Sequence, residues 1–234
     1  MQAPSKRSSR FRLIAGQVDV SDVTTRVLFP TAQLDGWSPF VRFGETIATP
    51  RKRSGDHGHH HQEVMLYILE GAAIHSQPGG QVEQLAAGSV LWLTASGDAK
   101  HAANPGKGRT SRWISVVMEL PAQVPEGVPI YRFTHPARPP VGADGTVMIA
   151  LVGARAQLPS AAGLECSDII FAADGTSFVE VGHGRRGIIY VVSGEGSIDD
   201  AKIEVGEAAL VEKIGGVALH GLAGFRVIFA TAPT

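Results

Sequence analysis

What the chain lacks narrows it first. It has a single cysteine, Cys166, so no disulfide can form within it, which fits a reducing compartment. No motif surrounds that residue, and a packed thiol is the expectation rather than a nucleophile. Net charge is almost absent: 21 Lys+Arg against 22 Asp+Glu leave −1, too little basic field to recruit nucleic acid or an anionic membrane surface. Long apolar runs are missing too, and none approaches the roughly 18 residues of a spanning helix. The basic start, MQAPSKRSSR, is followed only by FRLIAG, short of a secretory core, so a frayed N-terminus and a cytoplasmic location are expected. Long amphipathic helices are likewise not visible.

What is abundant is punctuation. Twenty-eight glycines and fourteen prolines cut the 234 residues into short apolar or alternating segments, the pattern of many strands joined by turns. A hydrophobic content of 44% and a mean hydropathy of +0.07 suit a folded globular chain. FRLIAG, TTRVLF, EVMLYILEG, VEQLAAGSVLWLTA and RTSRWISVVMEL read as strands in the first half. TVMIALVGA, SDIIFAA, SFVEVG, GIIYVVSGEGSI, AKIEVGEAALVE and FRVIFATA read as strands in the second.

The halves repeat. YILEG, ending at Gly71, matches YVVSG, ending at Gly194, and Gly88 of GSVLWL matches Gly206 of GEAALV. From Gly88 to His101 is thirteen residues and from Gly206 to His220 fourteen. This is duplication of a domain, with a hairpin five residues shorter in the second copy. The fold class expected is all-β, two tandem jelly-roll barrels: residues 1–125, a Pro-rich linker over 126–140, and residues 141–234. Barrels of this kind bind ligands in the mouth between their sheets.

The most chemically loaded stretch is HGHHHQEVMLYILEG, residues 57–71. On an extended strand, side chains two apart leave the same face, so His57 and His59 can grip one metal ion. A third ligand must come from another strand, and His101 is the candidate. His60 reads as solvated loop. In the second half, the positions equivalent to the histidine pair, reckoned back from Gly194, are Glu180 and Gly182. No pair stands there, although His183 and His220 lie nearby, and a metal-free second barrel is expected. Trp92, Trp113 and Met118 read as core, and Arg51, Lys52 and Arg53 as a solvated loop near the site entrance.

These residues resemble the pirins, a branch of the cupin superfamily. HGHHHQEVMLYILEG is similar to the first pirin motif, a His-x-His pair followed by Glu, an apolar strand and Glu-Gly. GSVLWLTASGDAKHAANP is similar to the second, in which a Gly-started strand and a loop lead to a His and, two residues on, a Glu. The resemblance covers about residues 40–120 well and 163–230 more loosely. It implies that His57, His59 and His101 are metal ligands in the N-terminal barrel. It also places the family's fourth ligand, a Glu, at position 103, where this chain has Ala103.

Pirins are described as iron proteins, and some oxidise the flavonol quercetin with dioxygen. The resemblance therefore implies a divalent metal, Fe(II) foremost, with zinc, nickel or manganese as alternatives for an imidazole-rich set. It further implies a dioxygenase acting on a small aromatic ligand held in the N-terminal barrel. Glu63 lies four residues after His59, an even step, and could replace the absent carboxylate as ligand and take the phenolic proton as catalytic base. Equally, it could orient a ligand imidazole, and His61 could be recruited instead. His75, on the following strand, reads as a satisfied core or rim histidine. A protein partner would suit a non-catalytic, regulatory pirin, and two barrels packing on each other fit a monomer.

Overall fold

The computed structural model describes residues 11–20, 24–50, 55–212 and 215–234. The basic start and the loop of Arg51, Lys52 and Arg53 lie outside the described residues. As expected, the fold is all-β, with no helix among the described residues. The strands before the histidine cluster are β1 (Phe11–Ala15), β2 (Gln17–Asp19), β3 (Thr24–Phe29) and β4 (Phe40–Ala48). The cluster opens β5 (His57–His59) and β6 (Gln62–Glu70), followed by β7 (Ala72–Ser76), β8 (Val82–Ala86), β9 (Val90–Ala95), β10 (Ala99–Pro105) and β11 (Ser111–Glu119). β12 (Ile130–Thr134), β13 (Thr146–Val152), β14 (Glu165–Phe171), β15 (Gly175–Val181) and β16 (Arg185–Ser193) come next. The chain closes with β17 (Gly196–Ile198), β18 (Ala201–Ile203), β19 (Glu207–Val211), β20 (Gly215–Gly221) and β21 (Arg226–Pro233).

Two compact units result. The first, the histidine unit, comprises residues 17–136 with 160–162; the second comprises the remainder, including β1. The histidine unit holds a seven-stranded sheet, β12-β9-β6-β11-β4-β3-β2, and a four-stranded sheet, β5-β10-β7-β8. The second unit holds a six-stranded sheet, β1-β19-β16-β21-β14-β13, and a four-stranded sheet, β15-β20-β17-β18. Every pairing is antiparallel within these orders, and the central orders correspond strand for strand. The jelly-roll duplication expected from YILEG and YVVSG is thus seen in the topology.

The repeated glycines explain why the two halves turn alike. Gly71 and Gly194 have φ of 71° and 80°, and Gly88 and Gly206 both have φ of 87°. Side chains other than glycine's pay a steric penalty in this left-handed region. At Gly71 a Cβ would also collide with the Thr110 carbonyl.

Core packing follows the period-two alternation of each strand. Trp92, Trp113 and Met118 are buried, as their strands suggested. The second unit's core gathers Ile189, Val191, Val217, Leu219, Phe225 and their neighbours into one cluster. Each such side chain contributes about 1.5–3 kcal/mol when fully buried. Cys166 on β14 is buried as well, and burial pushes its thiol pKa up, so it is packed and inert. Within the stretch read as linker, β12 pairs with β9 from Ile130↔Thr94 to Thr134↔Val90. Tyr131 and Phe133 pack on the core there, because an aromatic, β-branched run can still join a sheet edge when the prolines lie outside it.

Candidate metal centre

The sheet register brings two distant histidines face to face. β10 runs antiparallel to β5 with His101 opposite His57 and Ala99 opposite His59. Opposed residues share a face, so His57, His59 and His101 project together. One ring nitrogen from each lies within 4.8 Å of the other two, and no other group of three potential ligands converges in this way among the described residues.

The hydrogen bonds select the tautomers. His57 Nδ1 donates to the Gly55 carbonyl (3.3 Å) and His59 Nδ1 to Gln62 Oε1 (2.9 Å), which leaves both Nε2 lone pairs free. His59 Nε2 lies 3.1 Å from His101 Nε2. Two bonds of about 2.0–2.1 Å to one ion place the nitrogens roughly 2.9–3.4 Å apart, so the His59–His101 pair has the spacing of two ligands on one divalent ion, with His57 beside it. Burial depresses the pKa of His59, the Gln62 bond offsetting part of that effect and His57 adding to it. Burial, with His57, His59 and His75 in support, lowers His101 to about 2. Both rings therefore stay neutral at physiological pH, the form that ligates a metal.

Glu63 is placed elsewhere. Its buried carboxylate accepts from Thr94 Oγ1 (3.2 Å), Ser160 Oγ (2.5 Å) and the backbone N–H groups of Ala161 (2.9 Å) and Ala162 (3.0 Å). The even step from His59 fails because His61 between them adopts φ 52°, breaking the extended run into β5 and β6. Parity then changes: Val64 and Leu66 face the histidines and Glu63 faces away. His61 also stays out of the group, and His60 bonds Asp98 (3.0 Å) at the surface.

His75 is buried, opposite Ala103 in the register, with its ring 5.2 Å from that of His101. It is not the satisfied histidine that was expected. Its Nε2 and the Nδ1 of His101 are both buried without a hydrogen-bond partner. Burial, reinforced by His57, lowers its pKa to about 4.

The three histidines line one end of a cavity of about 330 Å³. Val64, Leu66, Trp113 and Val117 form its apolar walls, and Ala103 lines it at the position where the resemblance calls for a ligand carboxylate. Arg42, Thr25, Thr46 and Ser115 supply the other polar groups. Sequence reasoning missed these four. Alternation along FVRFGET groups Arg42, Gly44 and Thr46 on one face, but alternation alone does not say which face is inward.

Comparison with known proteins bears on this geometry. No family model matches the chain. A curated "Pirin-like protein" of Solanum lycopersicum is 25% identical over 122 residues, 52% of this chain and 42% of the tomato protein, so the match spans less than half of that relative's length. The bacterial pirin YhhW of Escherichia coli, solved in complex with nickel(II), superposes with a TM-score of 0.81 at 18% identity, over 95% of this chain and 99% of that one. A quercetin 2,3-dioxygenase of Acinetobacter baumannii gives a TM-score of 0.85 at 14% identity, over 96% and 79%. At such identities the two structures speak for the fold, and the tomato match adds sequence. Together they show that the chain has the fold of the bacterial pirin and of the quercetin 2,3-dioxygenase, with a sequence likeness to a pirin-like protein over about half its length.

Proposed function

We propose that the protein is a divalent-metal-dependent dioxygenase of pirin type, acting on a flavonol or related phenolic. The observation that carries this reading is the convergence of three imidazoles on a largely apolar cavity. His57, His59 and His101 would hold the ion, iron foremost, and leave its remaining positions open toward the cavity. A bound ion of this kind supplies Lewis acidity toward the phenolic oxygen and, when redox-active, electron exchange with dioxygen.

The chain's own residues do the rest. Trp113, Val64 and Leu66 offer flat apolar surface to a ring and exclude water. Gln62 and the Gly55 carbonyl hold two imidazoles in the ligating tautomer. Glu63 keeps its four donors in this reading and anchors Ser160–Ala162 instead of taking the phenolic proton.

Iron-loaded, untagged protein is expected to consume oxygen with quercetin, and His57→Ala to abolish the uptake; equal rates in the two would sink the proposal. A second reading, a non-catalytic metal-binding cupin with a regulatory or ligand-binding role, is favoured by Ala103, since among the described residues no carboxylate joins the three imidazoles. Stoichiometric metal without oxygen uptake on any phenolic would select it.

A further inference from the structure

The charge balance of the cavity is one-sided. Among the described residues lining it there is no carboxylate, while Arg42 brings a guanidinium. A divalent ion on the three imidazoles would add two more positive charges, and Ala103 puts a methyl where an acid would compensate them. Buried or half-buried cations without a counter-charge are costly, and the cost is removed when a ligand supplies the anion.

The sheet shows where Arg42 stands. Val64, Val117 and Arg42 form one row across β6, β11 and β4. The next row is Leu66, Ser115 and Gly44, and Gly44 contributes no side chain to the floor. With strands about 4.8 Å apart, Arg42 sits roughly 10 Å of backbone from Val64 on the same face of the sheet, and it lines the cavity. No hydrogen bond among the described residues engages its guanidinium. Burial lowers its pKa, and among the described residues exposed Asp19, opposite Thr25 and on β2, partly offsets this with its charge.

We infer that the cavity selects an aromatic carboxylate, a single-ring phenolic acid whose carboxylate pairs with Arg42 while its ring lies between Trp113 and the Val64–Leu66 wall. The volume, near the lower end of small-molecule pockets, suits one ring and one acid group. This deepens the phenolic reading above and rests on it for the ring. The demand for an anion rests on Arg42 and the acid-free lining.

The test is calorimetric titration of the full chain, as isolated and zinc-loaded so that no turnover intervenes, with 3,4-dihydroxybenzoate and its methyl ester. The acid is expected to bind about 10- to 100-fold more tightly than the ester, the range of a charge-assisted pair. Arg42→Met should abolish that preference and leave ester affinity within about twofold, with Arg42→Lys restoring part of it. Acid and ester binding alike in the wild type, neither binding, or an acid preference that survives in Arg42→Met would each overturn the inference. Failure of iron-loaded protein to consume oxygen, with the Arg42-dependent preference intact, would instead sink the dioxygenase reading and leave this one standing.

Discussion

The same strand pair carries imidazoles in one unit and methyl groups in the other. In the histidine unit, β5 and β10 turn His57, His59 and His101 toward the cavity. In the second unit, the corresponding β15 and β20 bury Val179, Val181, Val217 and Leu219 in a continuous apolar cluster. His220 is one residue out of phase, exposed, and bonded to Thr176 Oγ1 at 2.8 Å. The spacing from the shared glycine explains this: thirteen residues from Gly88 reach His101, and thirteen from Gly206 reach Leu219. Because strand side chains alternate with a period of two, one extra residue moves a histidine from ligand to solvent. Gly187 stands where the first unit has Val64, and a Cβ there would strike Val181. The second unit still holds a cavity, of about 500 Å³, so the two differ in the side chains on this strand pair rather than in having an open space.

The largest effect should come from making the first unit resemble the second. His101→Leu is expected to cut metal affinity by more than the roughly 10- to 100-fold that loss of an outer partner costs. His220→Leu should leave metal content unchanged. Elemental analysis of untagged protein checks both, and equal losses would break the contrast.

Acid should also distinguish the units. His75 has a native pKa of about 4, below the ordinary 6.5, so between those values the unfolded chain binds the proton that the native state refuses. Stability therefore rises with pH in that window: it is fully present above about 6.5 and lost as pH falls toward 4. The difference is on the order of 3 kcal/mol for this group. Urea midpoints of chelated protein across pH 7 to 4 should show this slope on top of the contribution of His101, whose native pKa is lower still, and His75→Leu should reduce the slope without abolishing it. An unchanged slope would mean that His75 does not contribute to the acid sensitivity.

The third prediction concerns Glu63. Glu63→Gln weakens acceptance from Ser160 and two backbone N–H groups and is expected to cost about 1–3 kcal/mol in a urea midpoint, with metal content retained. Loss of metal without loss of stability would return Glu63 to the ligand set.

Much of the fold was legible. The strand-and-turn pattern, the duplication around Gly71 and Gly194, and the three histidines all follow from residue order, because glycine turns and alternating strands are local features. Glu63 was not legible in the same way. Its even spacing from His59 held only for an unbroken strand, and the left-handed turn at His61 is carried by a histidine rather than by a glycine that would have announced it. Arg42 was hidden for a related reason: a strand with polar residues on both faces does not declare its inside. β12 was masked by the prolines around it.

The sequence by itself determined the fold class, the repeat and the residues able to grip a metal, since these depend on composition, period and spacing along the chain. Tertiary structure alone decided which faces turn inward. It set His101 opposite His57 across the β5–β10 ladder, turned Glu63 toward Ser160–Ala162, left Ala103 in the cavity wall and put Arg42 on its floor. The physical reason is that side-chain direction in a strand reverses at every residue, so a single turn dihedral or a one-residue shift in register reassigns every group beyond it.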